Sequence, residues 1–481
     1  MSALSYLTNR PDEVLEAVRR GEIIALETAV EELPDLFVMH ALDSGLLDNL
    51  ADSFPDPRKN PEIPMRIVLA AAIAGHFAGL YALSQSPYAL HSPQLLAKLG
   101  VQVRVNLPGN GLSRRGTREE ASFHGDVLRK LLEQIAESDK AEGQWPGQAI
   151  LDWFNQHVGK FFCEAANAEP TLHILDCTDL VVPLKNDHYE HSGITTKNGV
   201  PQRGYKLGTI RSLLDTGAVI TGIAWGAIQE HDLTVTKTLV RTSKHLNPAD
   251  ILLHDRGFLD GAGITSMKKE RGVDICTGLK RDMVLTRAAV VMANAAPGAW
   301  QKHPTRPHQQ IQLVKELSGT WSELGVPMNV VVIRWKDKAT QEYDYAAFSS
   351  TDLSLDARQM ILLYQTRPEI EEDYRQLKST AWKVDCFCTT RLVQIIWHVV
   401  LTLLAYNLFQ VYANTQRGRQ FAEKTKQKLE RERKRNPPTY LLVCTHDAFA
   451  VFETKSLLYV LLDLPDDVRQ KIRKLLPKQH G

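Results

Sequence analysis

Asp176, Asp255 and Glu371 are the residues of this chain whose types and settings could do metal chemistry on a phosphodiester. Glu371 stands in Tyr364–Lys378 (YQTRPEIEEDYRQLK), which reads Y-x2-R-x3-E-x6-K. At 100° per residue, Tyr364, Arg367, Glu371, Arg375 and Lys378 fall within an arc of roughly 80° on a helix. One face then carries a carboxylate, two guanidinium groups, an ammonium and a phenol. A carboxylate ligand among phosphate-binding groups is what phosphodiester cleavage requires. Two Asp and one Glu suit hard Mg2+ or Mn2+, and do not suit metals that prefer thiolates. Taken alone, the segment also fits a solvated helix with i,i+4 ion pairs such as Glu371 with Arg375. Pro368 limits the helical argument. It lacks a backbone donor and disfavours a helical conformation at Arg367, so it can start a new helix at its first position, with Tyr364 and Arg367 on a kinked segment before it.

The elements around these residues change character near residue 170. Leu172–Leu175 reads as a short apolar strand leading into Asp176. Lys206–Leu214 and Ala218–Ile228 read as strands joined through the turn at Asp215–Gly217. A helix is expected over Leu233–Thr242, a strand over Asp250–Leu253 ending at His254 and Asp255, a helix over Ile264–Arg271 and a strand over Val273–Thr277. This β-β-β-α-β-α-β order resembles the outline of an RNase H-like α/β fold, and by that analogy the two Asp positions would lie on adjacent strands with a later helix supplying the third carboxylate. The interval from Asp255 to Glu371 is longer than a simple crossover needs. Strands are expected there over Gln310–Leu317, Pro327–Trp335 and Tyr343–Ser349. Each anchor has a plainer alternative: Asp176 and Asp255 could each cap a turn, and Asp179 could stand in for Asp176.

With 481 residues the chain is expected to hold two or three domains. Its 57 basic and 56 acidic residues nearly cancel, so only local charge can argue for nucleic acid. Two such places are Ser113–Arg118 and Arg417–Arg435; each could meet phosphates or simply be solvated. The polar start, Met1–Arg20, is not that of a signal peptide. Six cysteines without a C-x2-C pair fit reduced packing thiols and a cytoplasmic setting. The apolar runs Ile67–Leu83 and Leu392–Val411 carry polar residues and are expected to be buried helices, with no role in a membrane.

The chain resembles the bacterial insertion-sequence transposases of the DDE type that carry a Y-R-E-K signature and move DNA by cut and paste. The resemblance rests on Asp176 in LDCTD, Asp255 in LHDRGF and the Tyr364–Lys378 segment. Pro368 departs from it, standing where an aromatic residue is often found. The resemblance implies Asp176, Asp255 and Glu371 as catalytic ligands of two Mg2+ or Mn2+ ions, with Asp176 bridging both. It implies that Tyr364, Arg367, Arg375 and Lys378 contact DNA. It also implies double-stranded DNA partners (terminal inverted repeats and target), a homodimer on paired ends and a nucleoid-associated location. The expected organisation is a helical, end-binding region at 1–150, an RNase H-like core at 165–280 and 351–412, a mostly β insertion at 281–350 and a basic helical region at 413–481. In that family an aromatic residue of the insertion can receive a flipped base; Trp300, Trp321 and Trp335 are candidates here, with core packing as the alternative for each. Rival readings are an RNase H-like nuclease or junction resolvase without strand transfer, and a domesticated, non-catalytic DNA-binding protein.

Overall fold

The computed structural model describes residues 6–104, 126–413 and 440–475, except positions 24, 30–32, 62, 87–88, 91–94, 96–97, 100–102, 216, 380–381 and 446–447. The basic segments Ser113–Arg118 and Arg417–Arg435 lie outside the described residues. The chain divides into two compact units, residues 150–400 and residues 1–149 with 401–481.

In the unit of residues 150–400, ten strands form one mixed sheet. They are β1 (Leu172–Val182), β2 (Gly193–Lys197), β3 (Val200–Leu214), β4 (Gly217–Ala227), β5 (Ile251–His254), β6 (Asp274–Gly278), β7 (Gln301–Lys302), β8 (Gln310–Leu317), β9 (Met328–Lys336) and β10 (Tyr343–Ser350). Their order is β7-β8-β9-β10-β6-β5-β1-β3-β2, with β4 also paired to β3. β5 lies parallel to both β1 and β6, and the remaining pairs are antiparallel. Parallel strands need both faces covered. On one face Leu175, Ile210, Leu252 and Ile275 pack with Leu239 of helix α1 (Asp232–Thr242) and with Ile264 and Met267 of α2 (Gly261–Arg271).

Two features of this sheet differ from what the sequence pattern predicts. β1 does not stop before Asp176. It runs eleven residues to Val182, because its long antiparallel partner β3 pairs with it from His173 to Val182, well past the end of β5. The stretch 281–350 carries helix α3 (Val284–Ala295) as well as strands. Those strands continue the same sheet, since β10 pairs with β6 through Phe348 and Gly278.

In the other unit, helices Pro11–Arg20, Leu33–Asp43, Leu46–Ser53, Met65–Phe77 and Asp126–Ala141 make up most of the described N-terminal residues. The terminal regions also share a five-stranded sheet, in the order Ala25–Ala29, Tyr440–Cys444, Ala448–Glu453, Tyr6–Asn9, Val103–Arg104, which the sequence pattern did not single out. Leu441 and Val443, then Ala448 and Ala450, are buried at the two-residue spacing of strands. Helices Thr454–Leu462 and Asp466–Leu475 follow. Among the described residues one helix, Leu392–Tyr412, is long and apolar enough to cross a membrane, yet 89% of its most apolar window is buried inside the protein. Met65–Phe77, at 13 residues, falls short of the ~20 that a bilayer needs.

β3 crosses β1 very closely at Gly204, where an added Cβ would lie 2.0 Å from the Leu180 carbonyl oxygen. Backbone cannot yield as a side-chain end can, so Gly204→Ala should destabilise the sheet by roughly 1–3 kcal/mol. Urea unfolding would reveal this as a lowered midpoint. An unchanged midpoint would mean that β1 and β3 separate there without cost.

Candidate active site

Strand register brings the first two carboxylates together. Leu175 of β1 pairs with His254 of β5, so Asp176 and Asp255 follow side by side, one residue further along parallel strands. Successive strand residues point to opposite faces. Asp176 therefore shares the face of its β3 partner Thr209, away from Leu175 and its apolar cluster. Asp255 leaves the sheet into a 3-10 turn, Arg256–Phe258, and its Oδ1 accepts the Gly257 N–H at 2.5 Å. His254 belongs to the opposite face; its Nδ1 lies 3.0 Å from the Asp255 carbonyl oxygen, and burial lowers its pKa.

The segment Tyr364–Lys378 is not one helix. α4 (Ala357–Tyr364), started by an Asp356–Gln359 capping box, ends at Tyr364; α5 (Glu369–Leu377) begins after a turn over residues 365–368. Pro368 stands at the N-cap of α5, one position before the N1 site that the sequence suggests. The 80° arc therefore holds only from Glu371 onward, and Tyr364 and Arg367 reach the sheet from α4 and the turn. Glu371 lies in the first turn of α5, where the helix dipole favours a carboxylate.

Arg367 sits at the centre of the three acids. Its Nη2 donates to Asp176 Oδ2 at 2.8 Å and lies 3.7 Å from Asp255 Oδ2, while Nη1 donates to Glu371 Oε1. The Asp176 side chain is 11% exposed, that of Asp255 37% and that of Glu371 59%, so the cluster opens to solvent on the Glu371 side. Burial pushes the Asp176 carboxyl up to about 6, against the opposing pull of Arg367 and the Cys177 N–H; the charges of Asp255 and Glu371 push it further up. Among the described residues no group of three His, Cys, Asp or Glu side chains is gathered tightly enough to hold a metal ion. The acids gather on a guanidinium instead of on one another. As a donor set the three nevertheless suit a hard divalent cation. All are carboxylates, and the most buried resists ionisation because one positive charge does not offset its burial and its two acidic neighbours.

The other candidate residues are placed as follows. The Tyr364 phenol lies over Gly278, where a Cβ would come within 2.9 Å of it, and against Phe348 at 4.3 Å between ring centroids. Burial pushes Tyr364 up to about 12, so it remains a hydrogen-bond donor. Lys378 Nζ donates to the Asp179 carbonyl oxygen at 2.7 Å, and burial lowers its pKa. Arg375 pairs with Glu372 on exposed surface and makes no ion pair with the central acids. Asp179 pairs with Lys197 at 3.3 Å, apart from the Arg367 cluster. Lys206 is 12% exposed and bonded to Asp232 at 2.5 Å. All three candidate tryptophans have packing roles. Trp300 and Trp321 lie against the core of the sheet, with the Arg334 guanidinium 3.9 Å above the Trp300 ring, and Trp335, on β9, packs against the apolar cluster that β8 and β9 share with α4.

Sequence reasoning missed the residues that hold α5 on the sheet. The Tyr374 hydroxyl donates to the Asp176 carbonyl oxygen at 2.7 Å and lies 2.7 Å from Thr209 Oγ1. A phenol has one proton, so Thr209 is the donor in the second bond. Arg211 of β3, 8% exposed, pairs with Asp373 and with Glu369 at 3.0 Å. One signal was available: Ile370, Asp373, Tyr374 and Leu377, the buried residues of α5, repeat at i, i+3, i+4 and i+7. That inward row includes Asp373 and Tyr374, and Glu371 lies beside it.

Residues 171–408 match the family model of the transposase DDE domain. No curated protein matches the chain.

The burial of Asp176 carries a pH signature. An unfolded aspartate titrates near ~3.9, so the folded protein holds this proton more tightly, and stability is lost as pH rises from about 4 to about 6. Asp176→Asn removes that cost. In metal-free buffer the variant should melt above the parent at about pH 7.5, by an amount on the order of 1–3 kcal/mol, with the difference shrinking towards pH 4. A melting difference independent of pH would mean that Asp176 titrates as an ordinary surface acid.

Proposed function

We propose that this chain, whose residues 171–408 match the transposase DDE domain, is a DDE transposase that cuts DNA at the ends of an insertion element and joins the freed 3′-hydroxyl to target DNA, acting as a homodimer on paired ends. Asp176, Asp255 and Glu371 are the proposed catalytic residues. The observation that carries this is the gathering of all three on the Arg367 guanidinium, at 2.8 Å from Asp176 and 3.7 Å from Asp255. Acids gathered with a cation, one of them with its pKa shifted by burial, mark a candidate functional site.

Asp176, Asp255 and Glu371 would hold Mg2+ or Mn2+, which supplies activation of the attacking oxygen and stabilisation of the leaving oxygen at phosphorus. Arg367 balances the acids while DNA is absent. A phosphate offers its guanidinium an alternative bidentate partner and frees carboxylate oxygens in the exchange. Tyr364, held protonated, donates a hydrogen bond to the phosphate of the DNA end from above Gly278. Lys378 adds positive charge beside β1, tethered at the Asp179 carbonyl. Tyr374 and Arg211 are positioning residues, keeping Glu371 over Asp176 as DNA enters. Arg375, engaged by Glu372 on exposed surface, is the most peripheral of the proposed DNA contacts.

The decisive assay incubates a pre-cut element end with circular target DNA and Mg2+, scored for joined product. The parent should join, and excess chelator should stop it. Glu371→Gln keeps the helix and its size but loses a charge, so joining should fall at least about a hundredfold while end binding persists. Cleavage without joining by the parent would make the protein a nuclease. Normal joining by Glu371→Gln would remove Glu371 from the site.

A second expectation concerns Arg367. Arg367→Ala should weaken binding of the DNA end and also lower the melting temperature in low salt, since three acids lose their common partner. Unaltered end binding together with a lowered melting temperature would confine Arg367 to a structural role.

A further inference from the structure

On the sheet face opposite the carboxylates, β1, β5 and β6 leave a cavity of about 270 Å³ beneath α1 and α2. Leu175, Leu252 and Ile275 form its floor, and Val240 and Met267 line it from the helices. A cavity of about 150 Å³ admits benzene, so this one, open to solvent on one side, has room for two fused rings. Its lining also carries the polar side chains of Thr236, Lys237, Arg241, Asp260 and Ser266, and the imidazole of His254. The His254 ring lines the cavity and is 4% exposed. Nδ1 faces the Asp255 carbonyl oxygen at 3.0 Å, which can only accept, so that nitrogen carries the ring proton. Nε2 is left as an acceptor with no hydrogen-bond partner among the described residues. The charges of Lys237 and Asp260 in the lining lie 3.4 Å apart and pair with each other, and Arg241 is exposed to solvent. The site thus offers an aromatic body apolar walls and an acceptor at His254 Nε2, beside the Ser266 hydroxyl and the Thr236 hydroxyl, which donates to the Asp232 carbonyl.

We propose that this cavity binds a small neutral aromatic molecule of the size of indole, carrying one N–H or O–H that donates to His254 Nε2. The site stands on the cavity and the imidazole alone and does not depend on the function proposed above. Because the same imidazole is bonded to the Asp255 backbone, an occupant rests directly beneath the turn that presents that carboxylate.

Indole is the probe, titrated into the full chain and followed by calorimetry. Saturation at one molecule per chain is expected. Indene has nearly the same shape but lacks the N–H, and should bind roughly two- to tenfold more weakly to the same protein. Val240→Trp fills the cavity from α1 and should abolish indole binding while keeping the parent's melting temperature. The proposal is overturned by any of three results: no saturable uptake of indole, equal affinity for indole and indene, or undiminished uptake by a folded Val240→Trp. If that variant fails to fold, the comparison of indole with indene on the parent still decides.

Discussion

Carboxylates brought close together repel, and Asp176 also loses most of its solvation beneath α5. The guanidinium of Arg367 makes the arrangement tolerable, contacting Asp176, Asp255 and Glu371 with a planar, permanently charged fork. It does not neutralise them fully. Asp176 still titrates near 6 because it is buried and has two acidic neighbours. A site in this state favours additional positive charge, which is the electrostatic condition for a divalent ion. Removing the arginine without replacing its charge would leave three acids with no common counter-ion, the costly half of any buried ion pair.

The arginine reaches that position only because the chain breaks at Pro368. In a continuous helix Arg367 and Glu371 would share one rigid face. The turn between α4 and α5 instead lets Arg367 bridge two strands and a helix, while Tyr364 remains on α4 above Gly278. The opposite requirement, rigidity, falls on α5. The Tyr374 hydroxyl on the Asp176 carbonyl and the Arg211–Asp373 pair fix the helix to β1 and β3 by polar contacts that are largely buried and directional. A hydrophobic seam alone would tolerate sliding of the helix. These bonds set the height of Glu371 above the strand that carries Asp176.

Much of this was open to reading in the sequence. Most strands and helices from residue 172 onward could be read from local apolar periodicity, though β2 and α3 could not, and the break at Pro368 followed from the chemistry of one residue. The three acids could be picked out because each sits at the end of an apolar run or in a patterned charged segment. The full length of β1 could not, since residues beyond Asp176 are held in the strand by a partner, β3, that the local pattern does not name. The five-stranded sheet was hidden for the same reason: its strands come from both terminal regions of the chain.

By itself, then, the sequence determined which residues could bind a hard cation and phosphate, and which stretches form strand or helix. Those properties depend on side-chain chemistry and on contacts a few residues apart. The tertiary structure alone decided that Asp176 and Asp255 lie abreast, that Arg367 stands among the acids while Arg375 turns to Glu372, and that Tyr374 and Arg211 anchor α5. Such outcomes depend on strand register and on the charges met across the fold, and neither is encoded in the spacing of neighbouring residues.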